Sequence, residues 1–117
     1  MEIRTSIRSL GDGTRILTVV GAIDLHTAPA FQQSLRTLLQ DSEGRVVVDF
    51  TECEYLDSTA LHVIVQAERE LNGRADKLSL VVPAPSVLKI FEVTGLAARL
   101  DIYPSLTGAV NGSAEDR

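Results

Sequence analysis

A single cysteine, Cys53, stands in the whole chain, so no intramolecular disulfide can form and no thiol cluster is available to zinc. It reads as a structural or incidental thiol. Tryptophan is absent, and two tyrosines with three phenylalanines are too few to build a stacking platform for single-stranded nucleic acid. Basic residues are scattered and outnumbered: 11 Lys and Arg against 16 Asp and Glu give a net charge of -5. Duplex binding draws most of its non-specific affinity from Lys and Arg on phosphates. Direct contact with nucleic acid is therefore not expected, and any effect on transcription must pass through another protein. No apolar run approaches the roughly 20 residues that span a bilayer, so membrane insertion is not expected either. The segment Met1-Glu2-Ile3-Arg4 lacks the basic and then apolar layout of a secretory signal, which points to a cytoplasmic protein. No repeat, low-complexity segment or linker divides the 117 residues, and a hydrophobic share of 44% at that length fits one globular domain.

What is present alternates between the two hydrophobic periods. Ile3 and Ile7 among Arg4, Ser6 and Arg8 have the period of a half-buried edge strand, and Gly11-Asp12-Gly13 turns the chain into a second strand over 16–21. Thr27 can cap a following helix that carries Pro29 in its first turn, where a missing N–H is tolerated. Phe31, Leu35, Leu38 and Leu39 give that helix one apolar face, and it should end near 42–44. Residues 45–50 read as a central strand. A helix beginning near Ala60 then presents Ala60, Val63, Ile64, Ala67 and Leu71 before Asn72-Gly73 stops it. Residues 78–82 form a short strand. Pro83 and Pro85 open a helix through Val87, Ile90, Phe91 and Thr94 that Gly95 terminates, and a last strand around 100–103 precedes a brief helix. The expected architecture is α/β: a single domain over 1–110 with a mixed sheet, an N-terminal antiparallel hairpin and covering helices, followed by a small polar tail over 111–117.

The most informative stretch is Val46-Val47-Val48-Asp49-Phe50 followed by Leu56-Asp57-Ser58-Thr59-Ala60-Leu61. A buried strand here leads to a helix whose start is rich in oxygens. Such a start suits a phosphate, because free N–H groups and the positive end of the helix dipole meet there. The plain alternative is an N-cap. Asp57 reads more readily as a cap or loop anchor than as a base, and Asp24 as a turn residue after a strand. Of Ser58 and Thr59, one hydroxyl can cap while the other projects, and the residues alone leave the choice open. Leu61 and Val65, four apart, flank the main apolar stripe of the helix and are either core or an apolar docking patch. His26 and His62 form no metal set with the carboxylates and read as surface or cap residues. Gly11, Gly13 and Gly21 make no phosphate loop, and Ser58 lacks the setting of a hydrolase nucleophile. Neither a cofactor nor a catalytic residue is expected.

Three local signatures in this order resemble the STAS domain, specifically the small bacterial anti-sigma factor antagonists. They are Gly21-Ala22-Ile23-Asp24 with Thr27-Ala28, then Val48-Asp49-Phe50 through Leu56-Asp57-Ser58-Thr59-Ala60-Leu61, then Val93-Thr94-Gly95-Leu96. The resemblance is nearly full length. It implies that Ser58, the hydroxyl residue after the motif's Asp, is phosphorylated by a partner that is both anti-sigma factor and serine kinase, with Thr59 the alternative acceptor. It further implies that the unphosphorylated form binds that partner and liberates a sigma factor. A serine phosphatase resets the switch, and any ATP belongs to the kinase. The partner-binding residues it suggests are Asp24, Asp57, Ser58, Thr59, Ala60, Leu61 and Val65. Ala60 stands where the family commonly has Gly, and Ala22 where an acidic residue is frequent; both bear on which partner is met. A constitutive STAS adaptor in a transport or signalling complex, with Ser58 merely capping the helix, is the alternative the same resemblance allows.

Overall fold

The computed structural model describes residues 2–40, 44–71 and 78–112. Its first hairpin pairs β1 (Ile3–Ser9) antiparallel with β2 (Arg15–Ile23), and helix α1 (Ala28–Gln40) then crosses to β3 (Val46–Leu56). Helix α2 (Ser58–Glu70) leads to β4 (Leu78–Val81), and α3 (Pro85–Val93) with a 3-10 turn at Leu96–Ala98 leads to β5 (Asp101–Tyr103) and α4 (Leu106–Asn111). The strands lie in the order β1-β2-β3-β4-β5, and every pairing after the hairpin is parallel. This is the mixed α/β sheet expected from the alternation of periods. Among the described residues no helix is long and apolar enough to cross a membrane.

The sheet buries both faces, unequally. Leu17, Val19, Val48, Phe50 and Leu80 point to the face covered by α1, α2 and α3, where they meet Phe31, Leu35, Ile64, Val87 and Phe91. Phe50 sits between Phe31 at 5.9 Å and Phe91 at 6.5 Å, ring centre to ring centre, so one strand residue joins two helices. The opposite face is smaller: Ile16, Val47, Val81 and Tyr103 pack with Ala109 of α4. Arg99 bonds the buried Glu68 at 3.0 Å and ties the 3-10 turn to α2.

Several features differ from the sequence reading. Strand β3 runs six residues past Phe50, to Leu56, because β2 also continues and offers it partners: Val20 opposite Glu52, Gly21 opposite Cys53, Ala22 opposite Tyr55 and Ile23 opposite Leu56, with two register shifts. Pairing across strands outweighs the polar composition of Thr51-Glu52-Cys53-Glu54. Helix α2 starts at Ser58, two residues before Ala60, because Asp57 is its N-cap. Thr27 does not cap α1 through its side chain; its hydroxyl donates to the Ala22 carbonyl at 2.8 Å and accepts from the Asp24 N–H at 2.9 Å. Asn111 lies inside α4, with Gly112 closing it in a left-handed conformation. The expected helix stops at Ser42 and at Asn72-Gly73 lie outside the described residues, as does the tail over 113–117.

Gly21 positions the end of the hairpin. Its φ is 111°, and a Cβ there would stand 2.3 Å from the Glu2 carbonyl oxygen, which accepts a bond from the Ala22 N–H at 3.1 Å. Only glycine combines that dihedral with that approach.

Candidate functional site

The pairing of Ile23 with Leu56 brings two chain ends out of the sheet side by side, and the Asp57 N–H bonds the Ile23 carbonyl at 3.2 Å. The loop after β2 and the start of α2 therefore share one edge of the molecule. Asp24 organises the loop. Its Oδ1 accepts from the His26 N–H at 2.9 Å, the Thr27 N–H at 3.0 Å and the Thr27 hydroxyl at 3.3 Å. The Thr27 N–H, foremost among these donors, holds the Asp24 carboxyl below the usual carboxylate range. Asp24 is thus a loop anchor. The loop it fixes presents Leu25 outward, 71% exposed.

Asp57 does the corresponding work at α2. Its Oδ1 accepts from the Thr59 N–H at 2.9 Å, the N-cap bond, and also from the Thr59 hydroxyl. The choice between the two hydroxyls, open in the sequence, is decided by this carboxylate: Thr59 is half-buried and engaged, whereas Ser58 is exposed and its Oγ has no hydrogen-bond partner among the described residues. The helix start is also less of a vacant phosphate site than its oxygen-rich sequence suggests, since Asp57 already occupies an N–H of the first turn.

An open groove between α1 and α2 adjoins Ser58. Leu25, Pro29 and Gln32 line one side; Ser58, Thr59, His62 and Val63 line the other. Of the residues expected to meet a partner, Asp24, Asp57, Ser58 and Thr59 stand at this edge. Leu61 does not extend it as a docking patch: it is 7% exposed and packed in the core, because the main apolar stripe of α2 is wide enough to include it. Ala60 is fully buried, and Val65 is half-buried against the same core. The apolar surface near Ser58 is Leu25 instead. Sequence reasoning passed over Leu25, although an apolar residue inside the polar loop Asp24-Leu25-His26 was a signal to be had. His62, read as a surface residue, is exposed and lies on the groove wall.

A mixed sheet of this order, with the helix that begins at Ser58 leaving its central strand, defines a class. Residues 9–109 match the STAS domain family, and the chain belongs to that family. Its relatives place it among bacterial anti-sigma factor antagonists. It is 38% identical over 114 residues to the anti-sigma-B factor antagonist of Listeria monocytogenes, covering 97% of this chain and 98% of that one. The crystal structure of an anti-sigma factor antagonist from Mycobacterium paratuberculosis superposes with a TM-score of 0.88 at 29% identity, over 95% of this chain and 93% of that one. SpoIIAA of Bacillus, solved in unphosphorylated and phosphorylated forms, gives a TM-score of 0.67 in both cases. Those likenesses are of fold alone, at 16% and 19% identity over 93% of this chain and 96% and 98% of the two SpoIIAA chains.

Proposed function

We propose that this chain is an anti-sigma factor antagonist switched by phosphorylation of Ser58. Unphosphorylated, it binds an anti-sigma factor that is also a serine kinase, and the sigma factor is released without contacting this chain. The kinase transfers a phosphoryl group from its own ATP to Ser58, the complex parts, and a serine phosphatase restores the binding form. The chain acts as a binding protein and substrate, not as an enzyme, and works in the cytoplasm.

The observation that carries this reading is the state of Ser58: an exposed, unpartnered hydroxyl on the first residue of a helix already capped by its neighbour. A serine hydroxyl is a weak nucleophile and needs a base. The adjacent carboxylate, Asp57, turns its Oδ1 to the N–H and hydroxyl of Thr59, and we assign the base to the kinase. A phosphate adds about -1.5 to -2 charges. Against a partner carboxylate at about 5 Å and an effective dielectric of about 20, each charge repels by roughly 3 kcal/mol, or about a hundredfold in affinity. Nothing in that mechanism requires refolding.

Titrating the cognate anti-sigma factor against Ser58→Ala and Ser58→Glu tests the reading. Ser58→Ala should bind as the wild type does and resist phosphorylation, while Ser58→Glu should lose at least tenfold in affinity. Equal binding by both variants would favour a constitutive adaptor.

A further inference from the structure

We infer that His62 is the phosphate-holding residue of this chain: once Ser58 is phosphorylated, the His62 imidazole draws the phosphate along α2 and into the groove beside Leu25 and Gln32. This rests on the reading of Ser58 as the acceptor and adds the group that answers its new charge. Ser58 and His62 are four residues apart on α2, a spacing that sets two side chains on one helix face with Cβ atoms about 5–6 Å apart. Both are exposed, and both line the same groove. Helical side chains lean toward the N-terminus, the direction in which Ser58 lies from His62.

A phosphate at a helix start is ordinarily met by the helix itself, through free N–H groups and the dipole. Here the Asp57 carboxylate holds the Thr59 N–H, and a phosphate on Ser58 arrives beside that negative charge. It needs a cation. Among the residues lining the groove, His62 is the one that can carry positive charge. His26, on the adjoining loop, donates its backbone N–H to Asp24 at 2.9 Å and does not line the groove. On α1 the groove offers neutral Gln32, which bonds Gln66 of α2 at 3.5 Å. Arg36 and Glu70 line the adjoining depression further along the two helices, which shares Gln32 and Val63 with the groove. The charged and titratable groups nearest the phosphate are therefore Asp57 beside it, Asp24 and His26 on the adjoining loop, and His62 on its own face of the helix. With the phosphate held by His62, the surface formed by Leu25 and Gln32 is partly covered, so the switch excludes a partner by occupancy as well as by charge.

Phosphorus NMR tests this on the full chain with phosphoserine installed at position 58 during translation, compared with the same protein carrying His62→Gln or His62→Lys. Both variants change an exposed side chain and leave the core untouched. The second ionisation of phosphoserine, at about pH 6 when free, should lie about half a unit lower with His62 present than in His62→Gln, the size expected of an exposed pair. His62→Lys should restore the lower value. Amide signals of Leu25 and the Gln32 side chain should move on phosphorylation in the wild type and stay in place in His62→Gln. An ionisation unchanged between wild type and His62→Gln overturns the proposal. Absence of phosphate from Ser58 in protein drawn from its native cells under every growth condition would instead overturn the reading of Ser58 itself, a separate failure with a separate readout.

Discussion

Two neighbouring hydroxyls, Ser58 and Thr59, differ in availability because one carboxylate reaches only one of them. Asp57 takes the hydroxyl and N–H of Thr59, and Ser58 is left facing solvent. The residue order placed the hydroxyl pair at a helix start but could not assign the roles, since side-chain direction at an N-cap depends on backbone dihedrals that a sequence does not print. Two leucines make the converse point. Leu61 sits on the helix face that meets the sheet and is 7% exposed, whereas Leu25 is 71% exposed in a loop with no period to betray its direction. Leu61→Asn should therefore cost about 3 kcal/mol in urea unfolding, through lost burial and an unsatisfied amide. Leu25→Ser should change stability by about 0.5 kcal/mol at most while weakening anti-sigma factor binding about tenfold. The reverse pattern, a stable Leu61→Asn protein that binds poorly, would restore Leu61 to the docking surface.

At the scale of elements, the apolar spacings located α1, α2, α3 and the middle of each strand, and for a common reason: each buries one face against the sheet or its partner; the 3-10 turn at Leu96–Ala98 carried no such signal. Residues 51–56 were missed because their strand character comes from elsewhere. Thr51, Glu52, Glu54 and Tyr55 are exposed, so the segment shows little of a strand's alternation, and its order is imposed by the extension of β2. That origin has a measurable signature. Strand β3 is paired on both sides over Val46 to Asp49, with β2 and β4, but on one side only over its last residues. Amide hydrogen exchange over Cys53 to Leu56 should be at least tenfold faster than over Val46 to Phe50. Uniform protection along the strand would mean that a second partner covers the far half. The far half ends at Asp57, so the site stands on the more easily opened part of the central strand.

For the whole molecule, one buried thiol reports on integrity across pH. Cys53 is 3% exposed, and burial pushes its thiol up. In the unfolded chain a cysteine ionises at about pH 8.5. The unfolded state thus releases its proton first, and folding stability falls as pH rises above about 8.5 until the folded thiol ionises as well. Unfolding midpoints in urea at neutral and alkaline pH should show this loss in the wild type and a smaller one in Cys53→Ala; identical losses would place the alkaline sensitivity elsewhere. The fold was legible in the order of elements, and the three signatures along the chain carried the family. The geometry of the partner edge was not, because it depends on which loops the sheet sets side by side. Phosphorylation of Ser58 is what we propose to separate a binding form from a free form. The most direct measurement is to isolate the protein from its native cells with whatever is bound, and to map phosphate by intact-mass and peptide mass spectrometry on the bound and free fractions. An anti-sigma factor with serine kinase activity should be found on the unmodified chain, and phosphate on Ser58 in the free chain. A stable transport or scaffold complex, with Ser58 unmodified across growth conditions, would contradict it.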